Sequence, residues 1–115
     1  EWIRKVVDRI ENYSEVGEPI LALPLNPIFY FMTGRINPIA YDWILPGMLN
    51  EVDEKKVIEQ LQAKPPKVIV FVDIPIDGKE DRRLANYVPL IYNYLVKNYI
   101  FKEMIGMFQI LLPKS

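Results

Sequence analysis

The run Lys64-Pro65-Pro66-Lys67-Val68-Ile69-Val70-Phe71-Val72-Asp73 decides the fold class. Val68 to Val72 is an unbroken apolar stretch, rich in β-branched residues and too short for a helix. Its boundaries are a proline pair on one side and an acid on the other. A strand with one wet face alternates apolar and polar residues, so a continuous run predicts burial on both faces, as in a parallel sheet covered by helices. Upstream, Asn50 is an N-cap for a helix running to about Ala63, with Val57, Ile58 and Leu61 as its inner face and Pro65-Pro66 as its stop. Further upstream, Ile20 to Leu23 lies between prolines and reads as a second buried strand. Phe29 to Met32 reads as a helical turn leading into Thr33-Gly34-Arg35. The stretch from Ile36 to Asn50, punctuated by Pro38, Pro46 and Gly47, reads as an irregular loop anchored by aromatic residues.

The ends of the chain complete the pattern. Trp2, Ile3, Val6, Val7, Ile10 and Tyr13 recur at three- and four-residue steps, with Arg4, Lys5, Asp8, Arg9 and Glu11 between them, which predicts an amphipathic helix. Beyond a polar loop from Asp73 to Arg83, the residues Leu84, Val88, Ile91, Leu95 and Tyr99 mark another helical face. Pro89 either sits in that helix's first turn or kinks it. Tyr99–Met104 and Met107–Leu112 flank Gly106 and predict a hairpin. The resulting order is α-β-α-β-α-β-β: a small three-layer, Rossmann-like α/β sheet with a C-terminal antiparallel hairpin at its edge.

At 115 residues the chain is one domain, spanning 1–115. Half of it is hydrophobic and a quarter charged, the balance of a folded globule rather than a disordered tail. Lys and Arg number 14 against 15 Asp and Glu, a formal net charge of −1. Nucleic-acid affinity comes mainly from basic residues meeting phosphates, so no nucleic-acid partner is expected. With no histidine and no cysteine, the chain cannot form a Cys–His zinc site, a thiol nucleophile or a Ser–His–Asp triad. Any acid–base chemistry must therefore use carboxylates, Lys, Arg and Tyr. The most apolar stretch, 19–32, is broken by Pro19, Pro24 and Pro27 and falls short of the roughly twenty apolar residues a bilayer crossing needs. No apolar core follows Arg4-Lys5, so the start does not read as a signal peptide. The chain opens on Glu1 rather than Met, and is read as processed or as an excised piece of a larger protein.

Three groups of residues carry candidate chemistry. In open α/β sheets ligands sit beyond the carboxyl ends of the strands, where Asp73 stands. Asp73, Asp77 and Asp81 supply oxygen ligands for a hard divalent cation, although the spacing is not that of a calcium loop and Asp77-Gly78 is equally a turn signal. Thr33-Gly34-Arg35 offers a close backbone approach and a guanidinium fork for phosphate or carboxylate. The same Arg35 could instead pin a loop through Asp42 or backbone carbonyls. No glycine-rich nucleotide cradle is present. Tyr30, Phe31, Tyr41 and Trp43, with Tyr87, Tyr92 and Tyr94, form an aromatic group able to stack on sugar rings or hold a peptide, or else to pack the long loop onto the sheet. Asn12-Tyr13-Ser14 fits the N-glycosylation triplet.

Phe29-Tyr30-Phe31-Met32-Thr33-Gly34-Arg35-Ile36-Asn37-Pro38, followed by Tyr41-Asp42-Trp43-Ile44-Leu45-Pro46-Gly47, resembles a known family. The likeness is to the soluble C-terminal domain of multi-pass membrane glycosyltransferases of the protein O-mannosyltransferase-like and aminoarabinose-transferase-like type. The apolar strand before these motifs, the 64–71 run, Tyr87-Val88-Pro89 and the closing hairpin fit the same order, over roughly residues 18–113. The resemblance implies a parent transferase that uses a polyprenyl-phosphate-linked sugar and a divalent metal. It also implies that this piece is an extracytoplasmic domain lying against the transmembrane part of the same polypeptide, with an acceptor substrate as a further partner. The family's catalytic acid lies in a membrane-part loop that has no counterpart here, so no catalytic, cofactor-binding or metal-binding residue is carried over. The candidate ligand or interface residues are Arg35, Tyr41, Asp42, Trp43, Asp73 and Asp77. Two other readings stand beside this one. The first is a freestanding α/β ligand-binding or regulatory module with a pocket near Asp73 and the Thr33–Arg35 turn. The second is a small phosphotransfer or hydrolase domain using Asp73 and Asp77.

Overall fold

A computed structural model describes residues 1–24, 27–73 and 83–114. The elements in chain order are α1 (Trp2–Tyr13), β1 (Leu21–Leu23), α2 (Ile28–Thr33), α3 (Glu51–Ala63), β2 (Ile69–Phe71), α4 (Leu84–Tyr87), α5 (Pro89–Asn98), β3 (Tyr99–Ile105) and β4 (Phe108–Pro113). The four strands form one mixed sheet in the order β1-β2-β4-β3. β1 and β2 run parallel, with Leu21 opposite Ile69 and Leu23 opposite Phe71. β4 lies antiparallel to both β2 and β3. The hairpin is therefore present as expected, but its second strand enters beside β2 and its first becomes the edge.

Burial on both faces explains the continuous apolar runs. Leu21, Leu23, Ile69, Phe71 and Leu111 point to one face, where they meet Val57 and Leu61 of α3, Leu84 of α4, and Ile91 and Leu95 of α5. Ile20, Ala22, Val68, Val70, Val72 and Ile110 point to the other, where they meet Val6 and Ile10 of α1 and Phe29 of α2. The domain thus has three layers, with two apolar cores separated by the sheet. Phe29 meets Phe108 edge-on, ring centroids 5.6 Å apart, which ties α2 to β4.

Helix ends are set by local chemistry. Asn50 and Asp53 form a reciprocal capping box at the start of α3: each side chain accepts from the other's backbone N–H, at 2.8 and 3.1 Å. The single C-terminal helix expected from Leu84 onward is two. Val88 leaves helical geometry at φ −134° and ψ 66°, and Pro89 begins α5 where its missing N–H has no cost. Tyr99 consequently opens β3 instead of closing the helix.

One buried acid organises this junction. Glu54, 5% exposed, accepts the N–H groups of Leu90 and Ile91 at 2.9 and 3.1 Å through a single carboxylate oxygen. These are orphan donors in the first turn of α5, and α5 lacks a side-chain cap of its own. The carboxylate of α3 takes that place and meets the positive end of the helix dipole. At the far end of the molecule, Arg9 of α1 pairs with Glu103 of β3 at 2.5 Å. The Trp2 ring closes over the hairpin turn at Gly106, where φ is +60° and a Cβ would overlap the indole.

Candidate functional site

The parallel strands β1 and β2 end side by side, and the long segment between α2 and α3 arches over that end. Three interactions shape the arch. Ile44 donates its N–H to Pro24 O at 2.9 Å, and the Tyr87 hydroxyl donates to Ile44 O at 2.7 Å. Ala40 donates to the Gln60 side chain of α3 at 3.0 Å. Ile39 and Ile44 are buried in the core beneath, with Tyr41 half-buried against it. The Asn37 amide supports the arch from inside: its oxygen accepts from Ile39 N at 3.1 Å, and its nitrogen donates to Tyr41 O at 2.7 Å and to an Asp42 oxygen at 3.4 Å. Asp42 is exposed, and Trp43 is 46% exposed. Of the aromatic residues singled out in the sequence, Tyr41, Tyr87, Tyr92 and Tyr94 pack against the core, whereas Phe31 and Trp43 face outward.

Arg35 is held in a different place. It is 7% exposed, and three of its donors are taken by protein: Nε donates to the Ser14 hydroxyl at 3.0 Å, Nη1 to Thr33 O at 2.7 Å and Nη2 to Ser14 O at 2.5 Å. The guanidinium therefore joins the C-terminal ends of α1 and α2, where free carbonyls and the negative ends of two helix dipoles favour a cation. Of the two loop-pinning partners read from the sequence, the backbone carbonyls are the ones it takes; no salt bridge to Asp42 forms. Ser14 also donates to Ile10 O at 2.6 Å, so the third residue of the Asn12 triplet is buried and fully engaged.

Asp73 stands just past the end of β2. Its Oδ2 is 3.7 Å from Arg83 Nη1, which donates to Asp73 O at 2.5 Å, and its Oδ1 is buried without a hydrogen-bond partner among the described residues. Asp77 and Asp81 lie outside the described residues. Among the described residues no three of the Asp, Glu, His and Cys side chains gather as a metal site. Arg35 lies beside the Pro19–Ile36 bridge at the amino end of β1, whereas Asp73 follows the carboxyl end of the neighbouring parallel strand. The joint pocket expected for these two positions is therefore not formed, because they sit at opposite ends of the sheet.

Comparison with known protein families, with curated proteins and with solved structures finds no match to this chain.

Sequence reasoning missed two roles. The first is the Glu54 cap. The second is Tyr30, whose phenol oxygen accepts the outward N–H of Ala22 at 2.9 Å and so closes the free edge of β1. Ile36 does the same one step earlier, accepting from Ile20 and donating to Glu18. The only sequence signal was the placement of Tyr30 on a short helix soon after a strand. Burial pushes the Tyr30 phenol up to about 12; the Ala22 N–H opposes the rise and the nearby Asp42 charge adds to it. Tyr99, which donates to Pro66 O at 2.9 Å, is also pushed up to about 12, by burial first and then by neighbouring Tyr94.

These shifts have a defined sign. The unfolded chain loses phenol protons near pH 10 while the fold still holds them. Stability should therefore be level below pH 10 and fall as pH rises toward 12, at a slope of up to about 1.4 kcal/mol per pH unit from Tyr30, with a smaller share from Tyr99. Tyr30→Phe should remove one late component from the tyrosinate absorbance titration and flatten the stability slope between pH 10 and 12. An absorbance curve unchanged by the substitution would contradict this assignment.

Proposed function

We infer that this chain is an accessory extracytoplasmic domain of a polyprenyl-phosphate-sugar-dependent membrane glycosyltransferase, noncatalytic by itself, that supports acceptor binding or the transmembrane part. The observation that carries the reading is the ordered pair of motifs at 29–38 and 41–47. What supports it structurally is that the two motifs adjoin: Tyr30, Phe31 and Asn37 of the first and Asp42 of the second line one cleft. Among the described residues no helix is long and apolar enough to cross a membrane, so a transmembrane part would have to be supplied by other segments of the polypeptide.

On this reading the exposed rim of the arch is the contact surface. Trp43 projects from an arch that is otherwise tied down at Pro24, Gln60 and Tyr87, and half-exposed indoles are favoured where protein meets the membrane interface. A photo-cross-linker at position 43 of the full-length native protein should capture transmembrane segments of its own polypeptide. Cross-links confined to the soluble domain or to unrelated soluble proteins would contradict the placement. The isolated domain should neither transfer nor hydrolyse sugar.

One observation favours a second reading, a ligand-binding or regulatory α/β module: Asp73 Oδ1, buried with no partner among the described residues, stands at the strand end where such sheets hold ligands. That reading predicts saturable divalent-metal or small-cation binding that is lost in Asp73→Asn.

A further inference from the structure

We propose that the cleft between α2 and the arch is a binding site for a single neutral sugar ring. Pro27, Tyr30, Phe31, Asn37 and Asp42 line a cleft of about 280 Å³. That is at or just below the lower end of the usual range for small-molecule pockets, and so suits one ring better than an extended chain.

The lining has two chemistries. Phe31 is 89% exposed, an aromatic platform with no protein covering it, and Pro27 extends the apolar wall. The polar side is made by Asp42 and Tyr30. Asp42 forms no salt bridge among the described residues, and the Asn37 amide touches only one of its oxygens, which steadies the carboxylate and leaves the other free to accept. Tyr30 already accepts from Ala22, so its own hydroxyl proton is left for a water or a ligand oxygen. A phenol pushed up to about 12 keeps that proton throughout the physiological range.

A sugar ring presents the complementary pair of surfaces: an apolar C–H face for Phe31 and vicinal hydroxyls that donate to Asp42 and accept from Tyr30. An anionic ligand would be repelled by Asp42. A peptide would need a longer groove. An ammonium ion would use Asp42 and Phe31 but leave the Tyr30 donor without an acceptor.

This inference deepens the transferase reading by naming an acceptor chemistry, and it rests on that reading for its biological meaning. Its test is separate. Sugar binding by a domain whose native polypeptide proves soluble would remove the transferase reading and leave this one, whereas a membrane-bound parent with an inert cleft would do the reverse.

The experiment is amide-correlation NMR of the 115-residue chain titrated with methyl α-D-mannopyranoside, with methyl β-D-glucopyranoside, and with tetramethylammonium as the cationic control. At least one glycoside should give saturable shifts centred on Phe31, Asn37 and Asp42. Phe31→Ala and Asp42→Asn, both exposed positions, should each weaken binding by roughly tenfold while leaving the remaining spectrum unchanged. Saturation by tetramethylammonium alone, shifts that neither variant alters, or no saturable shift with either glycoside would overturn the proposal.

Discussion

Arg35→Ala is expected to lower the unfolding free energy by about 3 kcal/mol, among the largest effects available from one polar residue in this domain. The loss would come less from the missing bonds than from what they leave behind. Ser14 O and Thr33 O would be stranded beneath a buried cavity, and the helix ends of α1 and α2 would lose their shared cation. Arg35→Lys should recover only a minor part, because a single ammonium cannot reach Ser14 and Thr33 with the geometry of a planar fork. The check is the denaturant midpoint at unchanged slope. A loss below about 0.5 kcal/mol, the range of ordinary surface substitutions, would mean that Arg35 is not a structural clamp and would return it to the pool of ligand-binding candidates.

Glu54→Ala should cost about 2–3 kcal/mol by the same logic with the sign of charge reversed. Leu90 and Ile91 would lose the side-chain acceptor they share at the start of a helix that Pro89 has already separated from α4. Glu54→Gln should fall between wild type and alanine: the amide oxygen still accepts both N–H groups, but the negative charge beside the helix N-terminus is gone. Hydrogen exchange at Leu90 and Ile91 should accelerate in the alanine variant well before exchange in β2 does. Uniform acceleration across the domain would show that Glu54 stabilises the fold globally rather than capping α5.

Which features could be read from the sequence follows from what kind of information each one needs. The buried strand at Val68–Val72, the capped helix ending at Pro65-Pro66 and the hairpin about Gly106 are written in local patterns of a few residues. The two-core arrangement also follows, since an unbroken apolar strand must bury both faces. Strand order does not follow in the same way. Placing β4 rather than β3 beside β2 depends on Phe71 and Ile69 finding Gln109 and Leu111, pairings with no local trace. The same limit hid the polar architecture. Glu54 lies among acids that look like an ordinary solvated first turn, and only the approach of α5, 36 residues later, buries it. Arg35 was visible as a candidate, but its alternatives could be separated only when Ser14 was seen to lie beside it. For the arch, aromatic content signalled anchoring. Which rings turn inward, as Tyr41 and Tyr87 do, and which stay exposed, as Phe31 and Trp43 do, is set by tertiary packing.

Membership of this domain in a membrane-embedded transferase is the function proposed above. The most direct test is the size and fractionation of the native polypeptide that contains it, detected with an antibody against the domain. The account predicts a band several-fold larger than 13.5 kDa that pellets with membranes and is released only by detergent. A soluble product near 13.5 kDa would contradict it.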